Sequence, residues 1–192
     1  SSIHAISKKI TKSVTVLAQK NTHAHAILKH DPHVDEVIEL DENEIKSFFS
    51  IIKKIKSKQF DQSYIFSDSI RFYLISKLSG IKENYQYKFL SKKNKNFFKT
   101  AQEFTEKILH TKIDSQSKIY FDEKDMEEAK KKFNISNKTK NIVCGISASG
   151  STKRWNINNY IKLFENLSLK FQCKFFLAGG SKDENLIKMI MD

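Results

Sequence analysis

The sequence predicts an α/β protein built on parallel sheets, and three observations carry that expectation. Short runs rich in β-branched and aromatic residues alternate with longer stretches whose apolar residues recur at helical spacing. The connections are short, so each strand is followed by a helix that returns the chain to the same end of the sheet. Between Thr111 and Lys140 the pattern gives way to polar and highly charged sequence before it resumes, which divides the chain into two units.

Taken in order, Ile3, Ile6 and Ile10 mark a first helix over residues 1–9, and Val14, Val16, Leu17 and Ala18 a strand. Asn21 is placed to cap a short helix running to Lys29, where Asp31 and Pro32 end it. A strand from Glu36 to Leu40 follows. Asp41 or Asn43 then opens one helix with Ile45, Phe48, Phe49, Ile52 and Ile55 on a single face. Gln62 to Phe66 reads as a strand, and Asp68 or Ser69 caps a helix that Gly80 stops. A strand over Tyr85 to Phe89, a Lys/Asn loop and a helix from Lys99 to His110 complete the first unit. The second begins with a charged helix, Asp122 to Phe133. Two domains result, 1–118 and 119–192, each Rossmann-like and the second incomplete.

Composition narrows the function. The formal charge of +12 raises the question of nucleic acid, but of 34 basic residues only Arg71 and Arg154 are arginine, the side chain that phosphate and base recognition favours. The lysine excess is therefore read as compositional, with no nucleic-acid partner. Its concentrations at Lys53 to Lys58 and Lys92 to Lys99 read as solvated faces or as attraction to an anionic surface. No run approaches the roughly 18 apolar residues of a membrane span. Two cysteines, Cys144 and Cys173, both at strand positions, suit a reducing compartment and ordinary packing.

The stretch most suggestive of chemistry is NIVCGISASGSTKRWN, residues 141–156. Ile142, Val143, Cys144 and Ile146 read as a buried parallel strand. A small-residue loop follows, and Asn156 is placed to cap a helix carrying Ile157, Tyr160, Ile161, Phe164, Leu167 and Phe171. Strand, loop and helix in that order present backbone N–H groups and the positive end of a helix dipole to an anion, and Lys153 adds a full charge. Gly145 and Gly150 have P-loop spacing, but the lysine comes after Ser151 and Thr152 instead of directly after the glycine, which rules that motif out. No Gly-x-Gly-x-x-Gly follows any strand, which argues against a dinucleotide dehydrogenase. On residue types alone a ligand-free strand-to-helix turn stands equally open.

The segment ISASGSTKRWN, its amphipathic helix, the strand FFLAGG and the acidic turn SKDE together resemble the donor-binding domain of the family-nine glycosyltransferases. These are the ADP-heptose:lipopolysaccharide heptosyltransferases. Lys153 and Trp155 match the family's Lys-x-Trp, while Asn156 stands where Pro is common. SVTVLAQKNTHAHAILKHDPHVDEVIEL and FDQSYIFSDSIRFYLISKLSGIKENYQY are similar to earlier segments in the same order. The resemblance implies a GT-B fold. It also implies an inverting, metal-independent transferase, without cofactor, that moves heptose from ADP-heptose to the lipopolysaccharide core in the cytoplasm, at the inner face of the inner membrane.

By the same resemblance Lys153 and Ser149 receive the donor phosphates, with Thr152 supplying a further hydroxyl of the kind that chemistry needs, and Glu184 accepts hydrogen bonds from ribose hydroxyls, with Asp183 the other acidic residue of that turn. Trp155 is expected to pack under its loop and Arg154 to lie on the surface. The family's acceptor-activating Asp would precede Ser1 and an Asp-x-Gly-x-x-His segment would follow Asp192, so residues 1–192 alone are expected to be inactive. His23, His25, His30 and His33 lie near Asp31 and Asp35, but residues two apart on a helix face different ways, and no metal site is assigned. His4 and His110 have no evident partner in the sequence. Two alternatives stay open: a GT-B transferase with another nucleotide sugar, and a Rossmann-like nucleotide-binding module without turnover.

Overall fold

Parallel pairing of every strand follows from the helices that separate them, because a tight hairpin cannot join parallel neighbours. The computed structural model describes residues 1–87, 96–114, 116–148 and 150–191. The chain forms two compact units, Ser1–Asp122 and Glu123–Asp192.

In the first unit, α1 (Ser2–Ile10) leads to β1 (Val14–Gln19), which pairs in parallel with β2 (Val34–Leu40). The intervening helix α2 (Ala24–Leu28) starts later than expected. Asn21 lies in a 3-10 turn, Lys20–Thr22, and His23 in the left-handed region at φ 53° sets the entry to α2. A second parallel pair joins β3 (Gln62–Ile65) to β4 (Glu83–Gln86) across α5 (Ile70–Leu78). Tyr64 and Tyr85 stand opposite each other in that pair with their rings stacked at 5.2 Å. The far end of the strand expected over Tyr85–Phe89 and the lysines at 92–95 lie outside the described residues.

The single helix expected after Asp41 is two. Asp41 closes a capping box, accepting from the Asn43 and Glu44 amides while Glu44 accepts from its own amide, and starts α3 (Glu42–Lys46). Ser47 then adopts extended backbone and starts α4 (Phe48–Lys56), which rotates the apolar stripe. Ile51, 1% exposed, faces the core, and Phe49, 79% exposed, faces outward. The core unites Ile38 and Leu40 of β2, Ile51 and Ile55 of α4, Ile75 of α5 and Ile81. Because it draws on β2 and α5, it ties both strand pairs into one unit. Ser76 adds polar links from α5 to Ser63 of β3 and Asn84 of β4.

Helix α6 (Phe97–Leu109) closes this unit, with Phe104 against Phe66 and Tyr87, and burial pushes the Tyr87 hydroxyl up to about 12. His4, without an evident partner in the sequence, lies 2.7 Å from the buried Asp31 carboxylate, and the Ser7 hydroxyl and His33 Nδ1 hydrogen-bond at 3.1 Å. Three histidine and aspartate side chains of that neighbourhood thus fasten α1 to the turn before β2.

The second unit opens with α7 (Glu123–Lys132), whose end is closed by Lys174 Nζ donating to the Phe133 and Asn134 carbonyls at 2.7 and 3.0 Å. Strands β5 (Lys140–Gly145) and β6 (Cys173–Ala178) pair in parallel around α8 (Ile157–Lys170), and α9 (Glu184–Met191) follows. Phe164 of α8 covers Phe175 on one face, and Phe133 covers Phe176 on the other. Val143, the register partner of Phe176, is nonetheless 71% exposed. The strand expected to be buried on both faces is therefore covered on one.

Two outcomes test this packing. Ile51→Ala should cost about 3 kcal/mol in denaturant unfolding, whereas Phe49→Ala should stay within about 0.5 kcal/mol of the native chain. The Asp41 carboxyl is held below its usual range by the Glu44 amide, and that of Glu44 first by the Lys54 ammonium and then by the Asp41 amide. Depressed carboxyls stabilise the fold above their ordinary values and lose that effect as pH falls through the lowered ones. Amide exchange at Asn43 and Glu44, corrected for intrinsic rate, should therefore be slow near neutrality and accelerate below about pH 4, and Asp41→Asn should weaken the dependence.

Candidate donor site

The parallel register of β5 and β6 brings the loops that follow them out at one edge, since Gly145 pairs with Ala178 and the Ile146 amide donates to the Ala178 carbonyl at 3.0 Å. That edge is the carboxyl end of both strands, the end at which open α/β sheets take their ligands. Ile146, 1% exposed, anchors the first loop in the unit's interior.

Beyond Ile146 the first loop turns through the 3-10 segment Ser151–Lys153, with the Lys153 amide donating to the Gly150 carbonyl at 3.0 Å. Asn156 then caps α8 as the sequence predicts, its side chain accepting from the Asn158 amide at 2.9 Å. Trp155 sets its ring edge-on against Tyr160 of α8 at 5.0 Å, and the Tyr160 hydroxyl donates to the Gly145 carbonyl at 3.4 Å. The indole is 48% exposed, so it leans on the helix with one edge in solvent.

The second loop is Gly179, Gly180 and the 3-10 turn Ser181–Asp183, which runs into α9. Asp183 is buried, its side chain 2% exposed. It closes its own turn, accepting from the Gly180 amide at 3.0 Å while its amide donates to the Gly180 carbonyl at 2.9 Å. It also reaches the first loop. Arg154 Nη2 lies 3.0 Å from Asp183 Oδ1, close enough for an ion pair although not aligned as a hydrogen bond, and Arg154 Nε donates to the Ala148 carbonyl at 3.4 Å. A hydrogen bond from the Ser147 hydroxyl, then one from the Gly180 amide, hold the Asp183 carboxyl below its usual range against the opposing effect of burial, and the Arg154 charge adds to them. Gly179 passes so near that an added Cβ would sit 3.2 Å from the Asp183 Cβ and 3.5 Å from Ile146 Cγ1.

The residues named from sequence fall into three groups. Thr152 and Lys153 stand exposed on the first loop, and Glu184 stands exposed at the start of α9. Ser149 lies outside the described residues. Asp183, read as a second acidic candidate for ribose, turns inward and is spent on the protein, and Arg154, expected on the surface, is its partner. Sequence reasoning missed this pair. The signal available was chain position alone, each of the two standing beside a residue already singled out.

Chemically the edge offers an ammonium group, a hydroxyl and backbone N–H groups to an anion, with a carboxylate on the neighbouring loop to accept from hydroxyls. Among the described residues of each unit, no cluster around this edge has the His, Cys and carboxylate composition of a metal centre.

Comparison with known proteins agrees with this architecture. The chain superposes on the ADP-heptose lipopolysaccharide heptosyltransferase II of E. coli with a TM-score of 0.71 at 16% identity, covering 99% of this chain and 63% of that one. It superposes on the family 9 glycosyltransferase of Veillonella parvula DSM 2008 with a TM-score of 0.76 at 14% identity, covering 98% and 60%. No curated protein sequence matches it. The chain thus spans a little over three fifths of the first of these structures and three fifths of the second, and its fold is the GT-B arrangement of two Rossmann-like domains with the second incomplete. The family model of glycosyltransferase family 9 (heptosyltransferase) matches residues 48–191, and the chain belongs to that family.

Proposed function

We propose that the protein containing this chain transfers heptose from ADP-heptose to the inner core of lipopolysaccharide, with inversion and without a metal ion. The observation that carries the reading is the position of Lys153 and Thr152 on a loop at the carboxyl end of β5, beside the loop that leads to Glu184. Breaking the sugar–phosphate bond leaves a second negative charge on the terminal phosphate of the departing diphosphate. A lysine and a row of O–H and N–H donors, fixed before the reaction, stabilise that charge without reorganising. Ser149 joins this set on the family resemblance. Glu184 takes the ribose hydroxyls. The base that removes the acceptor's proton is assigned to an aspartate outside residues 1–192, so this chain is expected to hold the donor without turning it over.

A cytoplasmic, peripheral location at the inner membrane is part of the same proposal, and the first unit supplies its support. No helix among the described residues is long and apolar enough to cross a membrane. Helix α5 nevertheless exposes Ile70, Leu74 and Leu78 at helical spacing beside Lys77, and α4, packed alongside, exposes Phe49, Lys53 and Lys56. Exposed apolar side chains interspersed with lysines suit an anionic bilayer surface, each lysine near it contributing about 1 kcal/mol.

Calorimetric titration with ADP tests the donor site. Lys153→Ala should weaken ADP about tenfold or more while changing adenosine little, and Glu184→Ala should weaken both alike. Unchanged ADP affinity in Lys153→Ala would remove the phosphate role. For the membrane surface, co-sedimentation should favour phosphatidylglycerol vesicles over phosphatidylcholine, with Lys53→Glu/Lys56→Glu and Leu74→Ser each lowering binding at least fivefold. Equal binding to the two vesicle types would count against it.

A further inference from the structure

We propose that Arg154 and Asp183 form a positioning pair whose task is to deliver Lys153 and Glu184 to one ligand, a nucleoside diphosphate with its ribose. The inference rests on the donor-site reading above and concerns residues to which that reading gives no part.

The argument begins with chain adjacency. Lys153 and Arg154 are consecutive, and so are Asp183 and Glu184. Each pair sits at the end of a 3-10 turn, Ser151–Lys153 and Ser181–Asp183. Consecutive residues in such a turn point about 120° apart. When one member of a pair reaches across to the opposite loop, its neighbour is left pointing elsewhere; in the second loop the exposures show this directly, and in the first, where both residues are exposed, the ion pair shows it. Asp183 is buried while Glu184 is exposed, and Arg154 bends to Asp183 while Lys153 stands free of the interior.

The pair is also hard to undo. A carboxylate as buried as that of Asp183 relies on its hydrogen bonds and its cation, so drawing the first loop away removes both the Ser147 hydroxyl and the Arg154 charge from it. Gly179 lets the second loop approach closely, since a side chain added there would press on Asp183 by a few tenths of an ångström while only touching Ile146. The two loops therefore hold a set separation. Binding a diphosphate with one loop and a ribose with the other requires that separation to match the ligand, and fixing it beforehand spares the cost of ordering the loops on binding.

The competing role for Arg154, a direct phosphate ligand, makes a different prediction. A direct ligand acts independently of Glu184, whereas a positioning residue governs what both neighbours contribute. The test measures ADP affinity of the whole protein in a set of combined variants. Arg154→Met is the central one, because that side chain is 41% exposed and its replacement removes the charge while keeping an unbranched chain of similar length. Asp183→Asn serves as its counterpart, and unfolding midpoints confirm that each variant is folded.

In the native background, Lys153→Ala and Glu184→Ala should each weaken ADP at least fivefold. In the Arg154→Met background each should weaken it less than twofold further, and Arg154→Lys should restore most of both effects. Native ADP affinity in Arg154→Met overturns the proposal, as does a weakened affinity in which the Lys153 and Glu184 effects persist undiminished. If neither Lys153→Ala nor Glu184→Ala matters in the native background, the donor-site reading itself fails and the pair has nothing to position.

Discussion

The second unit is organised around one buried charge. Asp183 contributes no apolar surface, yet it sits at the point where the segments after β5 and β6 converge, bonded to its own turn through Gly180 and to the other loop through Ser147 and Arg154. A carboxylate in that position is tolerated only while those partners remain, because burial penalises an unpaired charge far more than it penalises a paired one. Neighbouring features follow from it. At Gly179 a Cβ would press tightly on Asp183, and Glu184 stands exposed beside the buried Asp183 while Lys153 stands exposed beside the arginine that pairs with it.

The first unit is held by different means. Its core is aliphatic, chiefly isoleucine, and it runs from β2 across α4 to α5, so that two separate parallel strand pairs share one apolar interior. Polar contacts refine this arrangement: Ser76 links α5 to both strands of its pair, Arg71 donates to the Ile45 carbonyl at the end of α3, and His4 and Ser7 fasten α1 to Asp31 and His33. The second unit has little such interior, with Ile146 its one fully buried apolar side chain among the described residues. A polar hub takes on there what packing does in the first unit.

This contrast bears on function. Loops at the carboxyl end of a parallel sheet must be open enough to admit a ligand and still present their groups at a set spacing. Apolar burial would fill the opening, whereas an ion pair beneath two short 3-10 turns sets the spacing and leaves the outer faces free. Membership of glycosyltransferase family 9 gives such an edge a sugar-transfer context, and the chemistry proposed for it asks for little beyond preorganised positive charge and hydrogen-bond donors.

Much of this was determined by the sequence alone. Alternating strand and helix patterns dictate parallel pairing because periodicity and connection length are local properties, and Asn156 and Gly80 mark helix ends through equally local backbone chemistry. The order of the loop residues, with lysine after two hydroxyls, likewise ruled out a P-loop without any coordinates. The tertiary structure decided what depends on distant partners. Ser47 split a helix that periodicity read as continuous, so Phe49 turned outward and Ile51 inward. Val143 was left uncovered although its register partner Phe176 meets the ring of Phe133, a difference no strand periodicity encodes. Arg154 and Asp183 lie 29 residues apart in the chain, and no spacing rule links them. Their contact exists because two parallel strands end in register, and only the fold brings those ends together.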